Sequence, residues 1–317
     1  MSVVLVTGAH GFIGTHVARQ LAADGHVVCG VGHGAWPDHE AARHGVVRWL
    51  NGDITPGNLR LLQNACGEPA YVLHLAGGSS VGAALANPRE DFFRTVATTA
   101  ELLEWMRLDA PNARLLAISS AAVYGAGHTG TIAEDALLRP YSPYGQHKRL
   151  MEELCRSYAA SFGLRVGIAR LFSVYGPGLT KQLLWDACSR LSQGTSRLTL
   201  GGSGNELRDW TDVRDVARAL SLLLPLADST VPTWNVGTGI GTPVREVADT
   251  LVRCWVDQGG QSIPVSFSGQ SRAGDPFNLV ASPQRLKDLG FEWHLPLSTG
   301  MADYVSWHRQ RTREGAA

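Results

Sequence analysis

The sequence predicts an α/β protein, a doubly wound parallel sheet with a smaller C-terminal α/β domain. Three observations carry this. Short apolar runs rich in β-branched residues alternate with segments of helical periodicity along the first half of the chain. Those runs are apolar throughout rather than at every second position, as strands covered on both faces require. Many of the 36 glycines fall just after the runs, where loops approach a ligand closely.

Val3 to Thr7 is the first strand, and Phe12, Ile13, Val17 and Leu21 mark a helix over 12–23. Residues 27–31, 46–50, 71–75, 115–118 and 166–169 follow as strands, with helical segments near 56–66, 91–108 and 145–162 between them. Right-handed crossovers then place helices on both faces of the sheet. Gly176-Pro177-Gly178 ends the regular alternation. Beyond it the pattern predicts helices over 181–193, 212–226, 243–257 and 297–309, the third with Pro243 near its start. Residues 233–236 and 263–267 are the later strands.

Composition narrows the function. Twenty-eight basic and 28 acidic side chains cancel, which leaves no electrostatic footprint for nucleic acid or an anionic membrane. No apolar run approaches the ~18 residues of a membrane span. The N-terminus lacks a basic region, and Gly8 and His10 interrupt its apolar stretch, so a signal peptide is not expected. The five cysteines, Cys29, Cys66, Cys155, Cys188 and Cys254, are odd in number and never spaced C-x-x-C. Five reduced thiols in a cytoplasmic protein are the expectation, with neither a disulfide framework nor a zinc site. The 11 histidines form no H-E-x-x-H or comparable cluster, and no metal is expected.

Three motifs carry chemistry. Thr7-Gly8-Ala9-His10-Gly11-Phe12-Ile13-Gly14 follows a strand and opens a helix, the context of a dinucleotide-binding turn. Gly8 permits the tight turn, Gly11 the approach of a pyrophosphate, and Gly14 the packing of helix on strand. The helix N-terminus offers N–H groups to the phosphates. In Tyr144-Gly145-Gln146-His147-Lys148, the i, i+4 spacing puts phenol and ammonium on one helical face. A nearby cation lowers a phenol's pKa and makes it usable as an acid or base. The chain has seven tyrosines and only three lysines, so chance makes such a pair rarely. Ser119-Ser120-Ala121-Ala122-Val123-Tyr124-Gly125 stands at the end of a strand, the edge at which open α/β sheets bind ligands.

Together these motifs resemble the extended short-chain dehydrogenase/reductase superfamily and, within it, the nucleotide-sugar epimerases and dehydratases. TGAHGFIG is similar to the family's TGxxGxxG loop, SSAAVYG to its strand-end serine motif, and SPYGQHK to its YxxxK helix. Gly52-Asp53-Ile54, Leu75-Ala76-Gly77, the segment from Arg170 to Gly178, Arg208-Asp209-Trp210, the segment from Asn235 to Gly239 and that from Arg272 to Pro276 resemble further family segments, over nearly the whole chain. The resemblance implies a Rossmann-like NAD(P)-binding domain over 1–175, to which a segment near 210–240 returns, and a smaller substrate-binding domain over 176–317. It implies Ser120, Tyr144 and Lys148 as the catalytic residues, Tyr144 as acid/base and Lys148 on the cofactor ribose. Gly8, Gly11, Phe12, Ile13, Gly14, Gly32, His33, Asp53, Ile54, Leu75, Ala76 and Gly77 would join Tyr144 and Lys148 around the cofactor. Ser80, Ser120, Tyr144, Ser173, Arg208 and Arg272 would contact a nucleotide-diphosphate sugar, the arginines through forked guanidinium contacts to phosphate.

Three departures from the family pattern shape the expectation. Gly32 stands where a carboxylate usually binds the adenosine ribose, and His33 follows, which tilts the cofactor from NAD towards NADP. Ala121-Ala122 replaces the Asp-Glu pair of the dehydratases, which argues against 4,6-dehydration. Ser173 replaces an asparagine that helps bind the diphosphate. The leading reading is an epimerase. Its alternatives are an NADPH-dependent reductase of a 4-keto-6-deoxy nucleotide sugar and a non-catalytic dinucleotide-binding protein. A homodimer is expected through helices 91–108 and 145–162, with Phe92, Phe93, Leu103, Leu150 and Leu154 supplying apolar area.

Overall fold

A computed structural model describes residues 1–270 and 276–314. The strands are β1 (Val3–Thr7), β2 (Val27–Gly32), β3 (Val46–Asn51), β4 (Tyr71–His74), β5 (Arg114–Ser120), β6 (Arg165–Leu171), β7 (Ser173–Tyr175), β8 (Leu198–Leu200), β9 (Leu207–Asp212), β10 (Thr233–Val236), β11 (Gly241–Pro243), β12 (Val265–Phe267) and β13 (Asn278–Leu279). The helices are α1 (Phe12–Ala23), α2 (Asp38–Arg43), α3 (Pro56–Cys66), α4 (Val81–Ala86), α5 (Pro88–Phe92), α6 (Thr98–Asp109), α7 (Pro143–Phe162), α8 (Gln182–Ser192), α9 (Val213–Leu223), α10 (Val244–Asp257), α11 (Gln284–Asp288) and α12 (Leu297–Glu314).

The wholly apolar runs become the interior of a seven-stranded sheet, order β10-β6-β5-β4-β1-β2-β3, in which every neighbouring pair is parallel. This is the Rossmann-like doubly wound arrangement. The strand order reverses between β1 and β4, and open α/β sheets bind ligands in the crevice outside that point. Leu102, Leu103, Trp105 and Met106 of α6 and Met151 and Cys155 of α7 pack with Val72, Leu115 and Val166 of the sheet, all essentially without solvent exposure. Each such large apolar side chain contributes about 1.5–3 kcal/mol on burial. Leu103 is therefore core, while Leu154 packs against the same cluster and is only partly buried. Phe92, Phe93 and Leu150 are exposed.

By its contacts the chain forms two compact units. The first comprises Met1–Gly125, Glu134–Leu171 and Val216–Val236 and holds the large sheet. The second comprises Ala126–Ala133, Phe172–Asp215 and the chain from Gly237 onward. In the second unit β9 is flanked by antiparallel β11 and parallel β13 and also pairs with β7, while β8 and β12 form a separate parallel pair. Among the described residues no helix is long and apolar enough to cross a membrane.

Two expectations change. The helix predicted over 91–108 is α5, a π-helical turn at Phe93–Ala97, and α6. Asn87 caps α5, its Oδ1 accepting from the N–H of Glu90 at 3.2 Å, and Pro88 takes the first position. Five reduced cysteines were expected, but Cys29 of β2 and Cys66 at the end of α3 form a disulfide. The parallel crossover brings together two residues 37 apart, which cysteine spacing does not reveal. Cys155, Cys188 and Cys254 are buried free thiols.

Candidate active site

The turn after β1 is built for an anion. Gly8 has φ +75°, which disfavours any side chain, and its N–H bonds the carbonyl of Val31 at 2.7 Å. A Cβ on Gly14 would strike the carbonyl of Gly8, so this position brings α1 directly against the turn. Gly11 is the N-cap of α1 and supplies no side-chain cap, while Phe12 and Ile13 lie half-buried in the first turn. The first-turn N–H groups are not taken up by a cap, which fits a dinucleotide pyrophosphate.

Beside this turn a buried hydrogen-bond chain orders the loop after β4. The N–H of Ala76 donates to Thr7 Oγ1 at 3.2 Å, and Thr7 Oγ1 lies 2.8 Å from His74 Nδ1. His74 Nε2 lies 3.0 Å from Thr99 Oγ1, whose own proton goes to the carbonyl of Thr95 at 2.6 Å. Thr99 must therefore accept from Nε2–H, and Nδ1 accepts from the Thr7 hydroxyl. Burial, helped by the charge of Lys148, pushes the imidazole down to about 3, so His74 stays neutral. Thr95 Oγ1 also accepts from the N–H of Gly78 at 2.8 Å. Leu75, Ala76 and Gly77 thus lie in a loop pinned at both ends, at the reversal point of the sheet.

Ser120 ends β5, and its Oγ accepts from the N–H of Ala122 at 3.2 Å. Tyr144 is the second residue of α7, behind the cap Ser142, whose Oγ accepts from the N–H of Gly145 at 3.2 Å, and Pro143. A Cβ on Gly145 would lie 2.5 Å from the carbonyl of Ala122, so this glycine seats α7 against the Ser120 turn. Ser120 and Tyr144 are joined by a side-chain hydrogen bond. Lys148, one helical turn on and 4% exposed, donates from Nζ to the carbonyl of Ile118 at 2.9 Å.

The electrostatics differ from the expectation that Lys148 lowers the Tyr144 phenol. Burial pushes the phenol above its ordinary value; the bond to Ser120 opposes this, and Asp91 adds to it. Burial also pulls the Lys148 ammonium down to about 8, against the supporting charges of Asp91 and Glu152. Desolvation outweighs the attraction, and the ammonium is directed at a backbone carbonyl.

Helix α7 is anchored by charge. Glu152 of α7 receives Arg170 Nε at 2.9 Å and Nη2 at 2.7 Å, and Arg170 Nη1 bonds Tyr124 Oη at 2.9 Å and the carbonyl of Glu134 at 2.8 Å. Burial alone would raise the Glu152 carboxyl, but the Arg170 guanidinium more than reverses that.

At the end of β2, Gly32 has φ +156°, and a Cβ there would lie 3.1 Å from the Trp49 ring. His33 Nε2 lies 2.7 Å from Asp53 Oδ1, with both side chains exposed. The donor expected to favour a 2′-phosphate is thus held by a carboxylate 20 residues further on. Ile54 is 6% exposed and packs into the core.

The expected substrate contacts fall in both units of the chain. Ser80 Oγ caps α4, accepting from the N–H of Ala83 at 3.2 Å. Ser173 and Arg208 belong to the second unit; Arg208 Nη1 donates to the carbonyl of Leu207 at 2.9 Å. Arg272 lies outside the described residues. Sequence reasoning missed Thr95, Asp91, His147 and the role of His74. Their signal is proximity across 17 to 56 residues, which periodicity does not carry.

Comparison with known proteins agrees with this geometry. The NAD dependent epimerase/dehydratase family profile matches residues 4–237. A UDP-glucose 4-epimerase of Azospirillum brasilense is 32% identical, the match covering 96% of this chain and 92% of the relative. A structure of MoeE5 in complex with UDP-glucuronic acid and NAD is 32% identical with a TM-score of 0.83, covering 97% of this chain and 99% of that one. A UDP-glucose-4-epimerase from Stenotrophomonas maltophila, with bound NAD and formylated UDP-arabinopyranose, gives a TM-score of 0.87 at 27% identity, covering 99% and 100%. The glycine turn, the Ser-Tyr-Lys site and a match over 4–237 lead to one conclusion: the chain belongs to the NAD-dependent epimerase/dehydratase family, with the fold of the extended short-chain dehydrogenases/reductases.

Proposed function

We propose that this protein is an NAD-dependent 4-epimerase of a UDP-linked hexose or hexuronic acid. The observation that carries the reading is the Ser120-Tyr144-Lys148 group at the C-terminal sheet edge, beside a turn that fits NAD. The substrates in the relatives' names support the choice of sugar. NAD, when bound, supplies a ring carbon that takes a hydride and returns it. In its ionised form Tyr144 would take the proton of the sugar hydroxyl as its carbon is oxidised, becoming the neutral phenol, and would give that proton back once the ketone has turned its other face. Ser120 holds the same sugar oxygen and steadies the phenol. Lys148 holds the cofactor ribose. Ala121 and Ala122 bring no acid for eliminating water. Ser173, Arg208 and Arg272 are proposed as contacts to the nucleotide diphosphate, and Ser80 as a sugar contact.

NAD is the proposed cofactor. The named neighbouring structures hold NAD, and the His33–Asp53 bond engages one of the two features that favoured NADP, the other being Gly32. We further propose a homodimer through the segment of α5, the π-helical turn and α6 together with α7, where Phe92, Phe93 and Leu150 are exposed. The test is to supply UDP-glucose and NAD without a reductant. Formation of UDP-galactose with no net NADH supports the epimerase. Turnover only with added NADPH would replace it with the reductase reading.

A further inference from the structure

Between the Tyr-Lys helix and the loop after β4 lies a second pair of titratable groups. His147 Nδ1 is 2.6 Å from Asp91 Oδ2. With an ionised carboxylate, which only accepts, the imidazole is the donor. Asp91 is 5% exposed, and the His147 side chain 13%. His147 directly precedes Lys148 in α7, and Asp91 belongs to α5, so the bond ties α5 to the catalytic helix beside its lysine.

Two consecutive glycines show how closely the charges approach. A Cβ on Gly77 would lie 3.2 Å from Lys148 Nζ, and a Cβ on Gly78 would run into the Asp91 carboxylate. The ammonium and the carboxylate therefore press on adjacent residues of one loop, the loop expected to line the cofactor. Any side chain on Gly78 would displace Asp91.

The other groups around Lys148 are already committed. Glu152 on its own helix is bound by Arg170 and by Arg156, the latter at 3.2 Å. Burial pushes the Cys155 thiol up to about 12, so it carries no charge near neutral pH. His74, from β4, is neutral. Tyr144 is a protonated phenol in the ligand-free chain. Of the two carboxylates whose charge supports the ammonium, Asp91 acts more strongly than Glu152, which is shared with two guanidinium groups.

We propose that Asp91 and His147 are positioning residues for Lys148, the buried Asp91 carboxylate serving as counter-charge of the ammonium and His147 fixing that carboxylate in place. This rests on the reading that Tyr144 and Lys148 carry the reaction. Asp91 touches neither substrate nor cofactor in this account. It acts by keeping Lys148 cationic and by holding Gly77-Gly78 where the cofactor passes.

The test is the pH dependence of NAD affinity, by titration calorimetry, and of kcat/KM in the full-length protein. In the parent, both fall on the alkaline side as Lys148 loses its proton. Asp91→Asn keeps the shape and removes the charge, so this limb moves to lower pH by about one unit, with weaker NAD binding at pH 8. Asp91→Glu returns the limb towards its original place. His147→Leu frees the carboxylate to turn away and moves the limb in the same direction, and it serves if Asp91→Asn does not fold. An alkaline limb in the same place in the folded variants, with affinity or rate lowered equally at every pH, would overturn the proposal and leave the pair a structural contact. Tyr144→Phe separates the two levels. Full turnover in that variant would sink the reading of the site, while the NAD-binding limb of Asp91→Asn would still decide the role of the pair.

Discussion

Lys148 is held in an environment that opposes its charge, and that has a measurable consequence for folding. The residue is 4% exposed, and its ammonium is drawn down from 10.5 to about 8. At about 1.36 kcal/mol per pH unit, this gap is worth about 3 kcal/mol. Below about 8 both folded and unfolded chains carry the proton, and the folded state bears the whole penalty. Between about 8 and 10.5 the folded chain has released the proton and the unfolded chain has not, so this group's contribution to stability rises with pH. Lys148→Met removes the penalty, keeps most of the apolar stem, and loses the bond to the carbonyl of Ile118 at 2.9 Å. Losing that partner costs about 1–3 kcal/mol. The variant should thus be more stable than the parent at pH 7 by about 1 kcal/mol, a rise of a few degrees in melting temperature, while losing turnover. The difference should move by about 2 kcal/mol in the parent's favour between pH 7 and pH 10, as the parent sheds its proton, so that the order of stability reverses. Thermal or urea unfolding of parent and variant at both pH values measures this. A variant less stable at pH 7, with a difference from the parent that does not change with pH, would refute the burial argument.

Arg170→Met leaves the buried Glu152 carboxylate with only the partly exposed Arg156 as partner and should destabilise the protein by up to about 3 kcal/mol in urea unfolding, with Arg170→Met/Glu152→Leu recovering much of the loss. The apo-protein should bind NAD more tightly than NADP in titration calorimetry, and Asp53→Asn, which strips the carboxylate from His33, should narrow that gap; a parent that prefers NADP would reverse the cofactor assignment. Light scattering at micromolar concentration should report a dimer, and Phe93→Glu should shift it towards monomer; a monomeric parent would reject the proposed interface.

Much of the sheet was legible because it is buried on both faces, so its strands are apolar at every position from Val3 to Val6 and from Leu115 to Ile118. The glycine turn and the Tyr144-Lys148 spacing were legible because their chemistry lies within one helical turn. What escaped depends on residues brought together by the crossovers. The π-helical turn at Phe93–Ala97 lies between two helical segments without a proline or glycine to mark it. The engagement of His33 is invisible in the sequence because its partner, Asp53, arrives from beyond β3. The Cys29–Cys66 bond and the Asp91–His147 pair escaped for the same reason. The sign of the Tyr144 perturbation was misjudged because sequence shows which charges are near but not how deeply a phenol is buried. Gly32 was seen as a missing acid. The structure adds that its φ of +156° and the Trp49 ring leave poor room for any side chain, so a carboxylate is better introduced elsewhere.

The central claim is that one sugar carbon is oxidised and reduced again within a single site, with Tyr144 carrying the proton. It is tested most directly by following deuterium from UDP-glucose labelled at C4. The protein, loaded with NAD and given no other reductant, should yield UDP-galactose that retains the deuterium at C4, with no accumulation of reduced cofactor. Tyr144→Phe should lower the rate by about 10²–10⁴-fold while NAD binding stays near the parent's. Product that has lost the label, reduced cofactor accumulating in step with substrate, or Tyr144→Phe turning over at the parent's rate would contradict the account.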